Sequence, residues 1–314
     1  MRKGLGTISE DWRIFDRDTL LHLRIPFSFY LFPIYFFSLC FATNIDWYRT
    51  LAIFIILHVF IYSGSNSYNS YMDKDEGSIG GLKNPPPTTK KLLHASIICD
   101  LAGLFFASLI DTSLAFALLI YIAASKAYSW HGIRLKKHGI FSWFFVLFFQ
   151  GGFTYFIVNY FSGELPFQAW YSNYNLTGMA IASLFVGAYY PLTQVYQHRE
   201  DISRGDHTIS SILGIRGTFL FSFIILMLAN LLLLFFLSHF FSVQFFIIYS
   251  TLIYPVALYF FSWYFDVIKN PAHANFDRTM QLNNLSTICM SSCFIIILFL
   301  ILSQNNNPLD VILH

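Results

Sequence analysis

The chain has 314 residues, of which 56% are hydrophobic, 20% aromatic and only 11% charged, and its mean hydropathy is +0.55. Soluble domains carry roughly 25% charged residues, so this composition excludes that class and indicates a membrane protein. The formal net charge of +2 is too small to indicate a nucleic-acid partner. The four cysteines lie in apolar segments, where they behave as small apolar side chains, and they indicate no disulfide framework.

The hydropathy pattern predicts an all-α, polytopic membrane protein. Residues 1–24 are too polar for a cleavable signal sequence and predict an interfacial N-terminal segment. Apolar runs long enough to cross about 30 Å of hydrocarbon follow. They lie near 25–43, 50–71, 92–110, 113–130, 140–162, 175–196, 216–238, 241–264 and 284–303. We therefore expect nine transmembrane helices.

The basic residues predict how the chain is oriented. Eighteen of the 19 Lys and Arg residues fall in the N-terminal segment or in the loops on the same side of the membrane, and only Arg49 falls opposite. By the positive-inside rule that side is cytoplasmic. We expect a cytoplasmic N-terminus, a C-terminus on the opposite side, and a bacterial inner membrane or an equivalent membrane.

The first polar stretch, residues 66–87, follows the second apolar run. If the helix continues to about Glu76, its rotation of about 100° per residue places Asn66, Asn69, Asp73 and Glu76 on one face, while Asp75 points elsewhere. Carboxylate and amide oxygens suit Mg2+, which substrate phosphates usually help to bind. The alternative interpretation is that these acids only solvate a helix end.

The second polar stretch, residues 189–208, ends the sixth apolar run on the same predicted side. Gln197, Asp201 and Arg204 share a helical face there. Ionisable groups at the membrane edge are costly, which makes both stretches candidate functional sites. Solvated charges at an interfacial helix end are again the alternative.

A third group at this side comprises Tyr128, Arg134 and Lys136. Its cations could bind a diphosphate through charge-assisted hydrogen bonds or contact anionic lipid headgroups. Two polar residues within apolar runs, Asp100 and Gln150, are expected to face the interior of the bundle.

These polar stretches resemble the motifs of the UbiA-type intramembrane prenyltransferases. The family has nine transmembrane helices around a central cavity and two Asp-rich helix ends that bind a Mg2+-diphosphate. Its first motif is similar to residues 69–77, which retain Asn69 and Asp73. Its second is similar to residues 197–208, which retain Asp201, Gly205 and Thr208. Further similarity extends over residues 83–85, 128–136 and 270–280.

The sequence departs from the family pattern at Ser70, Gly77 and Gln197, where acids are expected. Glu76 and Glu200 are nearby acids that could substitute for them. Asn69 and Gln197 still offer carbonyl oxygens, which are weaker ligands for Mg2+ than carboxylates.

The resemblance implies a single domain over residues 1–314, with a central cavity that opens at the cytoplasmic side. It implies transfer of a prenyl group from a prenyl diphosphate to a lipophilic acceptor of aromatic or quinone type, with membrane lipids as the other partner. Asp73 and Asp201 are the expected catalytic residues. Mg2+ is expected on Asn69, Asp73, Glu76 and Asp201. The diphosphate is expected on Lys83, Lys126, Arg134, Lys136, Asn66, Asn69, Gln197, Arg204 and Tyr128.

Two alternatives remain open from the sequence. The missing acids also fit a divergent member that cyclises a terpenoid, uses an unusual donor or has lost catalysis. Polar helix ends beside a cavity also occur in carriers and transporters, although the sequence contains no evident inverted repeat.

Overall fold

The computed structural model describes residues 13–74 and 76–303. Within them, eight helices are long and apolar enough to cross a membrane. Including α6, which has 17 residues, the long helices are α1 (Arg17–Cys40), α2 (Trp47–Asp73), α3 (Lys91–Ile110), α4 (Thr112–Ser129), α5 (Gly139–Ser162), α6 (Asn173–Tyr189), α7 (Ile209–Phe240), α8 (Val243–Lys269) and α9 (Phe276–Ser303). The predictions for residues 1–12, for Asp75 and for the tail 304–314 lie outside the described residues.

The predicted sixth span, 175–196, corresponds to α6 and a 3-10 helix, Tyr190–Gln194. Pro191 lies in the first turn of that 3-10 helix, because a proline ring is compatible with a helix start but not with a helix interior. A short helix, His198–Ser203, and a two-residue strand, His207–Thr208, lead into α7. The strand forms parallel bridges with residues 138 and 139.

Aromatic rings fill the interior of the bundle. Phe37 of α1 is fully buried, and its ring lies 5.0 Å from Phe294 of α9 in an edge-to-face arrangement. Phe185 of α6 lies 6.0 Å from Phe37. Such contacts add to the stability that area burial provides. In contrast, Leu101, Leu109 and other residues of α3 face outward, as expected for a surface in contact with lipid.

Helix α2 ends at Asp73, three residues earlier than the sequence analysis predicted. Lys74 has a left-handed conformation (φ 51°), and its backbone N–H donates to the Ser70 carbonyl. This is a common C-terminal cap, and it turns the chain away from the helix axis. The prediction that Glu76 shares the helical face of Asp73 is therefore wrong, and Glu76 is exposed.

Helices α2, α3 and α4 meet at a buried ion pair. Asp100 faces the interior, as expected, and its Oδ2 lies 2.8 Å from Lys126 Nζ. Lys126 also donates to Ser96 Oγ, at 2.5 Å. Gly64 lets the helices approach here, because a Cβ at this position would lie 2.5 Å from the Asp100 carboxylate. The pair thus joins three helices.

Several long helices are irregular next to the cavities described below. Arg24 interrupts α1 with a φ of 48°, and the 3-10 helix Ile25–Leu31 follows it. Helices α2 and α5 contain π-helical turns, Ile56–Ile61 and Leu147–Phe153. Such turns recur at functional sites. Gln150 lies in the second of them and faces the cavities.

Candidate active site

A polar compartment of about 160 Å³ lies where α2 ends and the 3-10 helix after α6 begins. Its lining contains the carboxylates of Asp73, Asp201 and Asp206 and the cations of Arg24, Lys136 and Arg204. The other residues around it are Phe27, Asn69, Ile79, Gly80, Tyr128, Tyr190, Thr193, Gln194, Tyr196, Gln197, Thr208 and Met280. This arrangement places negatively and positively charged side chains around one small space.

Two further cavities adjoin the polar compartment. The inner cavity, of about 250 Å³, extends between α1, α6 and α9 and includes Leu31, Phe185 and Met290. The side cavity, of about 220 Å³, extends toward α4 and α5. Phe27 and Tyr190 line all three spaces. A molecule with a charged head and an apolar chain could therefore occupy the compartment and one cavity together.

Lys136 is the central cation of the compartment. Its Nζ lies 2.5 Å from Asp73 Oδ1 and 3.5 Å from Asp206 Oδ2. Arg134 binds both carboxylate oxygens of Asp206, with Nε 3.0 Å from Oδ1 and Nη2 2.8 Å from Oδ2. Burial alone would raise the pKa of Asp206, but the Arg134 hydrogen bonds and the Lys136 charge hold it below its ordinary value.

The second polar stretch, residues 189–208, brings three predicted residues to the same compartment. Asp201 accepts a hydrogen bond from Thr208 Oγ1 at 3.2 Å. Gln197 Nε2 donates to the Ser78 carbonyl at 3.0 Å. Arg204 Nη2 lies 2.5 Å from Glu200 Oε1. Because Ser78 belongs to the loop after α2, the Gln197 contact joins the two polar stretches.

The loop after α2 closes over the compartment. Glu200 Oε1 accepts backbone hydrogen bonds from Glu76 and Gly77 at 3.3 and 3.4 Å. Arg24 Nη1 donates to the Gly80 carbonyl at 3.2 Å. Gly81 has a φ of +83°, and a Cβ there would lie 3.0 Å from the Phe27 ring. A glycine is thus required where the loop rests on this ring.

Two tyrosine hydroxyls meet at the junction of the compartment and the cavities. The Tyr128 and Tyr190 Oη atoms lie 2.5 Å apart, and both residues line the polar compartment together with Asp73 and Asp201. Nearby, Asn69 Nδ2 donates to Ser129 Oγ at 2.8 Å. That hydrogen bond leaves the Asn69 amide oxygen as the acceptor of this side chain.

The sequence profile of the UbiA prenyltransferase family matches residues 30–285. The chain belongs to the UbiA prenyltransferase family. No curated protein sequence matches the chain.

Solved structures of UbiA homologs share the fold at low sequence identity. A homolog from Archaeoglobus fulgidus bound to DMAPP and Mg2+ is 16% identical, over 91% of this chain and 99% of that chain, with a TM-score of 0.66. The same homolog bound to GPP and Mg2+ is 14% identical, over 89% and 99%, with a TM-score of 0.64. An apo homolog from Aeropyrum pernix K1 is 16% identical, over 87% and 98%, with a TM-score of 0.62. The chain is a multi-pass integral membrane protein with this fold.

The structure of this UbiA family member separates the predicted site residues into two groups. Those that line the polar compartment are Asn69, Asp73, Tyr128, Lys136, Gln197, Asp201 and Arg204. The others lie elsewhere. Lys83 forms an exposed ion pair with Asp277 at 2.7 Å, and Lys126 pairs with Asp100. Arg134 contacts the compartment through Asp206, and Asn66 lines the two cavities.

Several residues of the site in this UbiA family member were not predicted from the sequence. Arg24, Phe27, Tyr190 and Asp206 line the polar compartment. Arg24 precedes Ile25-Pro26 at the start of an apolar run, and an arginine at such a boundary is a weak signal. Asp206 lies between Gly205 and His207, where its arginine partner is 72 residues distant and has no pattern in the sequence.

The UbiA homolog from Archaeoglobus fulgidus is bound to Mg2+ in two of its structures. Among the described residues, no group of three or more His, Cys, Asp or Glu side chains could hold a metal ion. Asp73, Asp201 and Asn69 nevertheless line one compartment. Mg2+ is usually bound by one or two carboxylates together with waters and substrate phosphates. The residues of this UbiA family member fit one such ion.

Proposed function

We propose that the protein is an intramembrane prenyltransferase that transfers a prenyl group from a prenyl diphosphate to a lipophilic acceptor and releases diphosphate. The observation that supports this most directly is the junction at Phe27 and Tyr190, where the charged compartment meets the inner cavity. A prenyl diphosphate has the same division into a charged head and an apolar chain. Membership of a prenyltransferase family supports the same reaction class.

In this proposal the diphosphate lies among the cations of the polar compartment. Lys136, Arg24 and Arg204 face this space and would donate charge-assisted hydrogen bonds to phosphate oxygens. Asp73 and Asp201, with the Asn69 amide oxygen, would hold Mg2+. The ion would add positive charge to stabilise the leaving diphosphate.

The residues around the junction suit a reaction through an allylic cation. The bond between C1 and the diphosphate oxygen breaks, and its electron pair leaves with diphosphate. Phe27, Tyr128 and Tyr190 line this space, and their ring faces attract a cation. A nucleophilic atom of the acceptor then bonds to C1 and loses its proton. Leu31, Phe185 and Met290 of the inner cavity keep the chain in apolar surroundings.

The positive-inside pattern supports a cytoplasmic position for the polar compartment, because the loops beside it carry the excess of Lys and Arg. The N-terminus lies on the same side and the C-terminus opposite, in a bacterial inner membrane or an equivalent membrane. In this proposal, residues 1–314 form one domain, and aromatic or quinone-type compounds are the first acceptors to assay.

The test is release of diphosphate by the purified full-length protein in lipid nanodiscs. Dimethylallyl, geranyl and geranylgeranyl diphosphates are each combined with a panel of quinone precursors and other lipophilic acceptors. We expect Mg2+-stimulated release and a prenylated product with at least one pair. The Asp201→Asn variant should lose this activity, and Lys137→Gln, which removes an exposed charge beside the site, should keep it. Failure of every pair would contradict the proposal.

Cyclisation of a terpenoid diphosphate is a second candidate, because Ser70, Gly77 and Gln197 supply no carboxylates to the helix ends. Mass spectrometry of the lipid-soluble products separates the two reactions. A cyclase releases diphosphate and a cyclic hydrocarbon or alcohol without any acceptor, whereas a prenyltransferase forms an adduct only when the acceptor is present.

A further inference from the structure

The polar compartment contains a cation that belongs to the protein. Lys136 Nζ lies between two carboxylates, 2.5 Å from Asp73 Oδ1 and 3.5 Å from Asp206 Oδ2. The three side chains are 11%, 5% and 2% exposed, respectively. A divalent ion would otherwise be expected between two such carboxylates, since buried carboxylates are paired with cations or bind metals.

The backbone holds Lys136 in this position. Arg134 has a left-handed conformation (φ 46°), and a 3-10 turn, Leu135–Lys137, follows it. The next two residues form parallel bridges with the strand His207–Thr208. Arg134 also binds Asp206 with two hydrogen bonds. The ammonium group and its carboxylate partner are therefore preorganised by contacts from both segments.

The remaining carboxylates are sufficient for one divalent ion but not for two. Two ions that clamp one diphosphate would need carboxylate ligands of their own, and Arg134 already holds Asp206 with two hydrogen bonds. Helix α2 turns away after Asp73, and Gly77 provides no side chain. Gln197 is an amide rather than a carboxylate, and its Nε2 donates a hydrogen bond to the Ser78 carbonyl. Asp73 and Asp201 remain as a pair.

We propose that Lys136 takes the place of one divalent ion, so that a prenyl diphosphate binds with a single Mg2+ and the Lys136 ammonium. This inference rests on the proposed function. Before the ligand binds, Lys136 and the metal compete for Asp73. The diphosphate draws the ammonium onto its own oxygens and makes Asp73 accessible to the metal. Metal and diphosphate therefore bind with positive cooperativity, each raising the affinity of the other by the same factor.

The experiment counts bound metal without requiring turnover. The full-length protein in nanodiscs is titrated with Mn2+, whose free concentration is read by electron paramagnetic resonance, with and without the unreactive analogue geranyl S-thiolodiphosphate. Calorimetry gives the affinity for the analogue. We expect one Mn2+ per chain with the analogue, and binding at least tenfold weaker without it.

Substitutions at Lys136 should change the two affinities in opposite directions. In Lys136→Gln, Mn2+ alone should bind about tenfold more tightly, because the competing charge is gone, whereas the analogue should bind about tenfold or more weakly. Lys136→Arg retains the charge and should remain closer to the wild type in both affinities. Lys137→Gln removes a charge from the exposed neighbouring residue and should leave both affinities unchanged.

Three results would overturn the inference. Two Mn2+ ions per chain in the wild type, or an unchanged analogue affinity in Lys136→Gln, would contradict it and leave the prenyltransferase proposal intact. A wild type that binds no analogue with or without Mn2+ would contradict both proposals. Thermal unfolding of each variant shows whether it is folded, and Lys136→Arg tests the ion count even if Lys136→Gln does not fold.

Discussion

Two buried lysine–aspartate pairs in this protein have similar geometry but different surroundings. Lys126 Nζ lies 2.8 Å from Asp100, donates to Ser96 Oγ at 2.5 Å and lies 4.5 Å from the centre of the Tyr68 ring. Lys136 lies 2.5 Å from Asp73 and lines the polar compartment. The first pair joins helices, and the second faces a space that a ligand can enter.

The difference shows that burial and charge do not by themselves distinguish a lysine that joins helices from one that lines a cavity. An ion pair inside a protein persists only if further hydrogen bonds compensate for lost hydration. The surrounding helices supply those bonds to Lys126. The partners of Lys136 are carboxylates in a compartment large enough for ligand atoms. In the proposed function, a phosphate group replaces them.

The largest effect on stability is expected from breaking the first pair. Lys126→Met leaves Asp100 buried without its cation and should lower the free energy of unfolding by about 3 kcal/mol. The double variant Asp100→Leu/Lys126→Met removes both charges and should recover most of that loss. Thermal or denaturant unfolding in detergent measures both variants.

The same double variant tests the sequence-based assignment of Lys126 to the diphosphate. Activity per folded molecule close to that of the wild type would place Lys126 in helix packing alone. A stable double variant that has lost diphosphate affinity would restore the sequence-based assignment. Equal stability of Lys126→Met and the wild type would contradict the structural role of the pair.

The second pair should affect catalysis more than stability. Asp73→Asn removes one of the two carboxylates proposed to bind Mg2+ and should lower kcat/KM for prenyl transfer about 100-fold or more, as the loss of a charge-stabilising group at an active site typically does. Asp100→Asn is the matched variant at the packing pair, and it should retain activity per folded molecule. Equal activity losses in the two variants would erase the distinction drawn between the pairs.

The parts of the fold that could be predicted depend on local composition. Long apolar runs and segregated basic residues locate the spans, because a helix that crosses hydrocarbon must be long and apolar. The predicted end of α2 was wrong, because the left-handed conformation of Lys74 leaves no periodic signal in the sequence. The nine-helix count stays a prediction, since α6 has only 17 residues before the 3-10 helix that contains Pro191.

Tyr128 and Lys136, which line the compartment, were predicted from the resemblance to the family's motifs, whereas the other predicted residues there follow one another at helical spacing. Asn69 and Asp73 on α2, and Gln197 and Asp201 after α6, are of that kind. The contacts that assign the lysines connect distant segments. Lys83 meets Asp277 across 194 residues of sequence, and a single sequence contains nothing that pairs them. Composition can therefore nominate a lysine, but tertiary contacts decide its role.

A smaller effect on the free energy of unfolding is expected from a change of pH. It arises from Asp206, whose Oδ2 lies 3.5 Å from Lys136 Nζ. Its pKa is held below the ordinary value of 3.8 by Arg134 and Lys136, against the opposing effect of burial. The charged carboxylate thus favours the folded state. This contribution to stability is present above pH 3.8 and disappears as the pH falls through the lowered pKa of Asp206. Unfolding measured from about pH 6 to pH 2 should show an acid-dependent loss of stability.

Asp206→Asn is the variant that attributes this loss to one group. It should be less stable than the wild type near neutral pH, because Arg134 loses its charged partner, and its stability should depend less on pH in the acid range. An identical acid dependence in wild type and variant would mean that other carboxylates dominate the titration.

The smallest expected effect concerns the hydroxyl pair at the junction of the compartment and the cavities. Tyr128→Phe and Tyr190→Phe each remove one partner of a 2.5 Å hydrogen bond and retain the ring. Each should lower kcat/KM by about tenfold or less, in line with about 0.5–1.5 kcal/mol for one hydrogen bond. If the hydroxyls act mainly through each other, the double variant should lose little more than either single variant. Fully additive losses would show that each hydroxyl has a separate partner.

Replacement by Leu removes the ring as well, so a much larger loss in Tyr190→Leu than in Tyr190→Phe would assign the contribution to the aromatic face.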